Sequence, residues 1–221
     1  MNVIDRLTER LDILGLLALG FFHPTPDDGV PGDPGSLVLV GNAGPAMWRV
    51  YSKRRRYGPI SLDGWVRNGL TAVAGDLDAA ALFPFGGPPY LPFQRWAQKA
   101  GPVSPSPLGI LIHRDFGLWH AYRGALAFAG RLDLPPADTG PSPCESCAGQ
   151  PCLSACPVGA FSATTGYDVP ACAAHLATLA GADCNGLGCR ARRACPVGRD
   201  FVYQPVQAAF HMAAFRRAQG D

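Results

Sequence analysis

No cysteine occurs before Cys144, although the chain of 221 residues carries eight. Net charge is nearly absent too: 19 basic residues stand against 17 acidic ones, leaving +2. That balance gives no general electrostatic reason to expect a nucleic-acid partner. The one dense basic run, Lys53-Arg54-Arg55-Arg56, reads as a solvated helix end or loop. No P-loop and no G-x-G-x-x-G after a strand occurs, which argues against nucleotide or dinucleotide binding of those types. A long apolar run is missing as well. Ile13 to Phe22 is too short to span a bilayer, and Asp5, Glu9 and Asp12 spoil a basic leader. No membrane association is expected, and the chain reads as cytoplasmic. Eight thiols in a reducing compartment point to metal rather than to disulfides.

What is present divides in two. Pro135 to Pro143 marks the shift from an aliphatic to a cysteine-rich composition, so a domain boundary is expected there, with domains at 1–139 and 140–221. A second loop, Pro24 to Gly35, is rich in proline and glycine. Around it, helices are predicted at the N-terminus, over Pro45–Arg55, Leu62–Leu77 and Phe93–Ala100. Buried strands are predicted at Ser36–Val40, Ala80–Phe85, Leu108–Ile112 and Ala121–Ala129. The last two would be joined through HRDFGLWH in a hairpin-like way. Strand and helix alternate without a strict βαβ rhythm, so the fold class is α+β with a mixed sheet. Trp48, Trp65 and Trp96 read as core packing. Val206–Arg217 reads as a final helix docked through Phe210 and Ala214.

The cysteines carry the clearest chemistry. The first group runs Cys144-x2-Cys147-x4-Cys152-x3-Cys156-Pro157. It is the iron–sulfur pattern C-x2-C-x2-C-x3-C-P with two residues inserted, and in that pattern the fourth cysteine serves the other cluster. The second group is Cys172, Cys184, Cys189 and Cys195-Pro196, with the same C-P-V-G ending. Crossing the fourth ligands gives Cys144, Cys147, Cys152 and Cys195 for one 4Fe–4S cluster. Cys172, Cys184, Cys189 and Cys156 then hold the other. Two zinc sites of four cysteines each would also use all eight sulfurs, and inert thiols are a further alternative. His175 reads as packing beside the second cluster. Arg190, Arg192 and Arg193 read as a solvated face.

The segment LGILIHRDFGLWHAYRG, Leu108 to Gly124, resembles a block of the cobalamin-processing family that includes the methylmalonic aciduria and homocystinuria type C protein. The shared positions are Gly109, Ile112, His113, Phe116, Gly117, Trp119, Ala121, Arg123 and Gly124, with Arg114 where the family has proline. The cysteine region, including ACAAHLATL at 171–179, is similar to epoxyqueuosine reductases and corrinoid reductive dehalogenases. Those families join a nitroreductase-like cobalamin domain to a ferredoxin-like domain with two 4Fe–4S clusters.

The two resemblances together imply cobalamin as ligand, set against an apolar wall of Leu108, Gly109, Ile110 and Leu111. His113, Tyr122 and Arg123 would stand at its margin. A plain core strand is the alternative for that wall. Arg123, among apolar residues, would need an internal carboxylate or an anionic ligand. The expected activity is that of a cob(III)alamin reductase and decyanase, drawing electrons from an unidentified donor. A corrinoid-dependent reductase of an organic substrate is the alternative, with Tyr90, Tyr122 or His120 as proton donor. A cobalamin chaperone with structural or sensing clusters is a third reading.

Overall fold

The computed structural model describes residues 2–138, 140–162 and 164–220. The chain forms two compact units. The first comprises Met1–Pro102 and His120–Gly140, the second Val103–Trp119 and Pro141–Asp221. The expected boundary falls on Thr139, which lies outside the described residues. Its neighbourhood is where the first unit ends, but Val103–Trp119 belongs with the cysteines rather than with the sequence on either side of it.

Helix α1 (Val3–Ile13) starts at a reciprocal cap, in which the Asp5 amide donates to Asn2 Oδ1 at 2.8 Å and the Asn2 amide donates to Asp5 Oδ2 at 3.1 Å. Its Leu7 and Leu11 are buried at helical spacing. Strands β1 (Leu17–Phe22) and β2 (Ser36–Ala43) follow, then α2 (Ala46–Arg55), α3 (Leu62–Asp76), β3 (Ala79–Leu82) and α4 (Phe93–Ala100). After β4 (Val103–Pro105) and β5 (Leu111–His113) comes the long β6 (His120–Phe128). The sheet of the first unit runs β1-β2-β6-β3, antiparallel throughout. The fold is α+β.

Every residue of β2 is buried, as the continuous run SLVLV requires of a central strand. Gly41, where the β2–β6 register shifts, lies so close to Ala121 that a Cβ would collide with its carbonyl oxygen. Trp48, Trp65 and Trp96 are buried. Trp96 Nε1 donates to the Asp28 carbonyl at 2.8 Å.

In the second unit, β4 and β5 pair as a short antiparallel ribbon. The chain then passes through α5 (Pro151–Ser154), the paired β7 (Phe161–Ser162) and β8 (Gly166–Tyr167), α6 (Val169–Leu176), α7 (Ala182–Leu187), α8 (Arg190–Arg193) and α9 (Pro205–Ala218). Helix α9 packs on α7, with Gln207 and Ala208 buried and Phe210 and Ala214 half-buried. Ala208 sits close enough to Gly188 that a Cβ there would be 3.3 Å away. A small residue is what lets that face approach.

The predicted strand Leu108–Ile112 is corrected. Only Leu111–His113 is extended. Gly109 adopts φ +75°, its amide donates to Ser106 O at 3.0 Å, and Ser106 N and Oγ both donate to Ile110 O. Leu108–Ile110 is therefore a turn held by serine. The hairpin reading of HRDFGLWH is corrected as well, because β5 pairs with β4 while β6 pairs with β2 and β3. His113 and Gly117 instead exchange backbone hydrogen bonds at 2.8 and 2.9 Å, and Gly117 takes φ +56°. That closure is tight. A Cβ on Gly117 would collide with the Val197 carbonyl.

Candidate functional site

Short helices place the eight sulfurs. Cys144 and Cys147 lie in the turns before α5, Cys152 within it and Cys156 just after it. Cys172 sits in α6 and Cys184 in α7; Cys189 caps α8 and Cys195 follows it. Proline after Cys156 and Cys195 stops each helix and turns the chain away. All eight are free thiols.

Their mutual influence sorts them into two sets. Burial pushes the Cys144 thiol up, and Cys195, Cys152 and Cys147 push it further. Burial likewise raises Cys152, with Cys195 and Cys147 adding to the effect. On the other side, burial raises Cys172, with Cys156 and Cys184 contributing, and raises Cys189, with Cys184 and Cys172 contributing. The structure thus brings together Cys144, Cys147, Cys152 and Cys195, and separately Cys156, Cys172, Cys184 and Cys189.

The second set lines a small pocket, with His175 and Arg190 also on its wall. Among the described residues, no three histidine, cysteine or acidic side chains converge tightly enough to hold one ion. Amide donors already point at several sulfurs. Ala160 N donates to Cys156 Sγ at 3.3 Å, and the amides of Ala191 and Arg192 donate to Cys189 at the start of α8. Such donors stabilise negative charge on sulfur.

Two hydroxyls do the same, and nothing in the cysteine spacing marks them. Tyr167 hydrogen-bonds Cys172, and Ser142 hydrogen-bonds Cys144. Ser142 Oγ in turn accepts from Ser104 Oγ at 2.7 Å. The Tyr167 hydroxyl is itself pushed well above its ordinary value, first by burial and then by Cys172. His175 Nε2 is buried without a hydrogen-bond partner among the described residues.

The arginines require a correction. Arg190 is solvated, with a half-exposed side chain that reaches Asp183 at 3.8 Å. Arg193 pairs with Asp183 and donates to the Gly188 carbonyl at 3.2 Å. Arg192 instead lies over both the Trp119 and Tyr203 rings, which meet edge-on, and donates from Nε to Leu118 O at 2.8 Å. A planar guanidinium accepts aromatic faces and a carbonyl at once, so it need not face water.

The residues expected at a corrin fall in both units. Leu108 and Ile112 are buried with Leu118, Ala191 and Cys195. Gly109 and Ile110 are exposed at the tip of the turn, and nothing stands within 4 Å of a Cβ built on Gly109. Leu111 is half-buried on β5. His113 is buried, stacked on Phe116 at 4.3 Å, and its Nδ1 accepts from the amides of Asp115 at 3.0 Å and Phe116 at 3.3 Å. Burial lowers it to about 4, and Arg114 adds to this against the opposing Asp115. It is a neutral anchor of its loop.

On β6, Arg123 Nε donates to Asn42 Oδ1 at 2.8 Å. Asn42, on the neighbouring strand β2, is thus one partner of the guanidinium. Tyr122 Oη is buried with no hydrogen-bond partner among the described residues, and burial raises the phenol above its ordinary range.

No protein-family model and no curated protein matches the chain. One solved structure that does is an epoxyqueuosine reductase from Streptococcus thermophilus, with a TM-score of 0.57 over 94% of this chain and 70% of that one. The two share a fold. At 14% sequence identity the likeness is one of fold alone. The resemblance of the cysteine region to epoxyqueuosine reductases thus has a structural counterpart. The resemblance of Leu108–Gly124 to cobalamin-processing proteins gains no support from a family model. Among the described residues, no helix is long and apolar enough to cross a membrane.

Proposed function

We propose that the protein is an iron–sulfur oxidoreductase that holds two 4Fe–4S clusters and uses a corrinoid to reduce an organic substrate. The observation that carries this reading is the pair of four-sulfur sets, each completed by a cysteine from the other motif, in a chain with the fold of an epoxyqueuosine reductase. A cubane needs four separate thiolates and hydrogen-bond donors around its sulfurs. Cys144, Cys147, Cys152 and Cys195 would hold one cluster, and Cys156, Cys172, Cys184 and Cys189 the other.

A bound corrinoid would supply a reducible cobalt centre. The buried, unsatisfied Tyr122 hydroxyl fits a ring fringed by amides, because it gains there the partner it lacks in the protein. The same hydroxyl keeps its proton across the physiological range and can release it to a strongly basic carbon or oxygen. Of the three candidate proton donors, Tyr90 is 69% exposed, which leaves it to water. His120 is buried and stands edge-on to Tyr122 at 5.7 Å.

Decyanation of cobalamin is the second reading, favoured by the Leu108–Gly124 block. It needs electrons but no acid. The two are separated by Tyr122→Phe in holoprotein loaded with cobalamin under a chemical reductant. Organic-substrate reduction should fall at least tenfold in this variant, with cyanide release from cyanocobalamin unchanged. Cyanide release in the absence of any substrate-dependent consumption of reductant, for epoxides of the neighbour's substrate class, would favour decyanation instead.

A further inference from the structure

The two C-P-V-G endings turn alike but are covered differently. Gly159 and Gly198 both take left-handed backbone, at φ +60° and +73°. Only the second ending is occupied. A Cβ on Gly198 would collide with the Phe116 carbonyl, and one on Gly117 would collide with Val197 O. The Phe116–Gly117 backbone therefore lies directly on Val197–Gly198, and glycine on each side is what permits the approach. Phe116 extends the contact by meeting the Phe201 ring edge-on at 4.7 Å. Val197 packs against the buried group formed by Leu108, Ile112, Leu118, Ala191 and Cys195.

The first ending has no such cover. Nothing among the described residues stands within 4 Å of a Cβ on Gly159, and Val158 is 42% exposed. This open turn directly follows Cys156, a member of the second sulfur set. Pro157 and Val158 share a pocket wall with Arg190. The Arg190 side chain is 53% exposed, and Asp183 is divided between it and Arg193. Two guanidiniums on one carboxylate leave a net positive charge among the three.

An exposed valine and glycine with a cation at their edge make a small docking face, apolar at its centre and charged at its rim. The covered copy shows what such a face accepts, namely a turn of backbone carrying an aromatic side chain. Resting on the two-cluster reading above, we propose that Pro157–Gly159, with Arg190, is the docking face for an acidic one-electron carrier protein. The carrier delivers its electron to the cluster at Cys156, Cys172, Cys184 and Cys189. It is oxidised by one electron as the cluster is reduced by one; no bond forms or breaks and no proton moves. Contacts of this kind are small and weak, and opposite charge speeds the encounter.

The probe is a plant-type 2Fe–2S ferredoxin, an acidic carrier, mixed with the intact, anaerobically prepared holoprotein. With both proteins oxidised, calorimetry reads binding without electron transfer. Wild type should bind, and the affinity should fall as salt is added. Val158→Glu should weaken binding about tenfold, and Arg190→Gln several-fold with a shallower salt dependence. Val202→Glu makes the same change at an exposed valine beyond the covered ending and should leave binding unchanged. Stopped-flow electron exchange, run in whichever direction is downhill, should slow in step with the affinity. Iron content, the EPR signals of the reduced protein and photoreduction by uncharged deazariboflavin should be alike in all variants. Those controls separate lost docking from a damaged cluster. If Val158→Glu loses iron, Arg190→Gln decides the matter. Binding undiminished by Arg190→Gln, or weakened equally by Val202→Glu, overturns the assignment, as does a wild type that does not bind. A preparation without iron and sulfide would instead overturn the two-cluster reading beneath it.

Discussion

The guanidinium of Arg192 lies 4.6 Å from the centre of the Trp119 ring. The Tyr203 ring meets it at 4.7 Å, and Leu118 O accepts from it. One side chain of the cysteine-rich sequence thus fastens the Val103–Trp119 segment that shares its unit. Arg192→Ala should cost about 2–4 kcal/mol, by loss of two ring contacts and a charged hydrogen bond. Arg192→Lys should recover less than half, because an ammonium cannot lie flat over two rings and donate to Leu118 O at once. Urea unfolding of the purified chain measures both.

His113 predicts a pH dependence of stability. Its folded value is about 4 against an ordinary 6.5, so between those values the unfolded chain binds more protons than the folded one. Stability is then full above pH 6.5 and falls as pH drops towards 4, by up to about 3 kcal/mol in all. His113→Asn keeps an acceptor for the Asp115 and Phe116 amides but does not titrate. Its urea midpoint should vary less over that interval than the wild-type midpoint does. Equal slopes would assign the pH dependence to other groups.

Two glycines of the same block should behave differently. Gly117 has φ +56°, and a Cβ there would strike Val197 O. Gly109 has φ +75° but open space around it. Gly117→Ala should therefore destabilise by more than about 3 kcal/mol, whereas Gly109→Ala should cost only the backbone strain, about 1 kcal/mol. Gly109→Asp tests the corrinoid instead. A folded variant with unchanged cobalamin affinity would remove the turn from any corrin site.

Much of this was legible in residue types alone. The buried run SLVLV, the N-terminal helix and the tryptophan core follow from local chemistry that tertiary packing had no reason to overrule. The sulfur grouping was legible because cysteine and proline spacing constrains which loops can reach a shared centre. LGILI was misread because apolar character in a short run does not distinguish a strand from a turn whose conformation Ser106 and Gly109 impose. Arg192 was misread because its partners Leu118 and Trp119 are distant in sequence from the cysteine motif, whereas Arg190 is solvated as expected. Tyr167 carries no spacing signal, since a hydrogen bond to sulfur is a product of packing.

The crossed grouping makes its own prediction. Cys156 belongs to the first motif but stands with Cys172, Cys184 and Cys189. Cys156→Ala should damage the cluster of that set, and Cys195→Ala the cluster of the other. EPR spectra of the two reduced variants should lose different signals. Loss of the Cys144-set signal in Cys156→Ala would contradict the grouping.

The most direct measurement is the iron and acid-labile sulfide content of anaerobically purified protein, read with its spectrum before and after reduction. Two cubanes require about eight irons and eight sulfides per chain, with visible absorbance that bleaches on reduction. Zinc bound by the cysteines without sulfide would contradict the account, and with it the proposed activity.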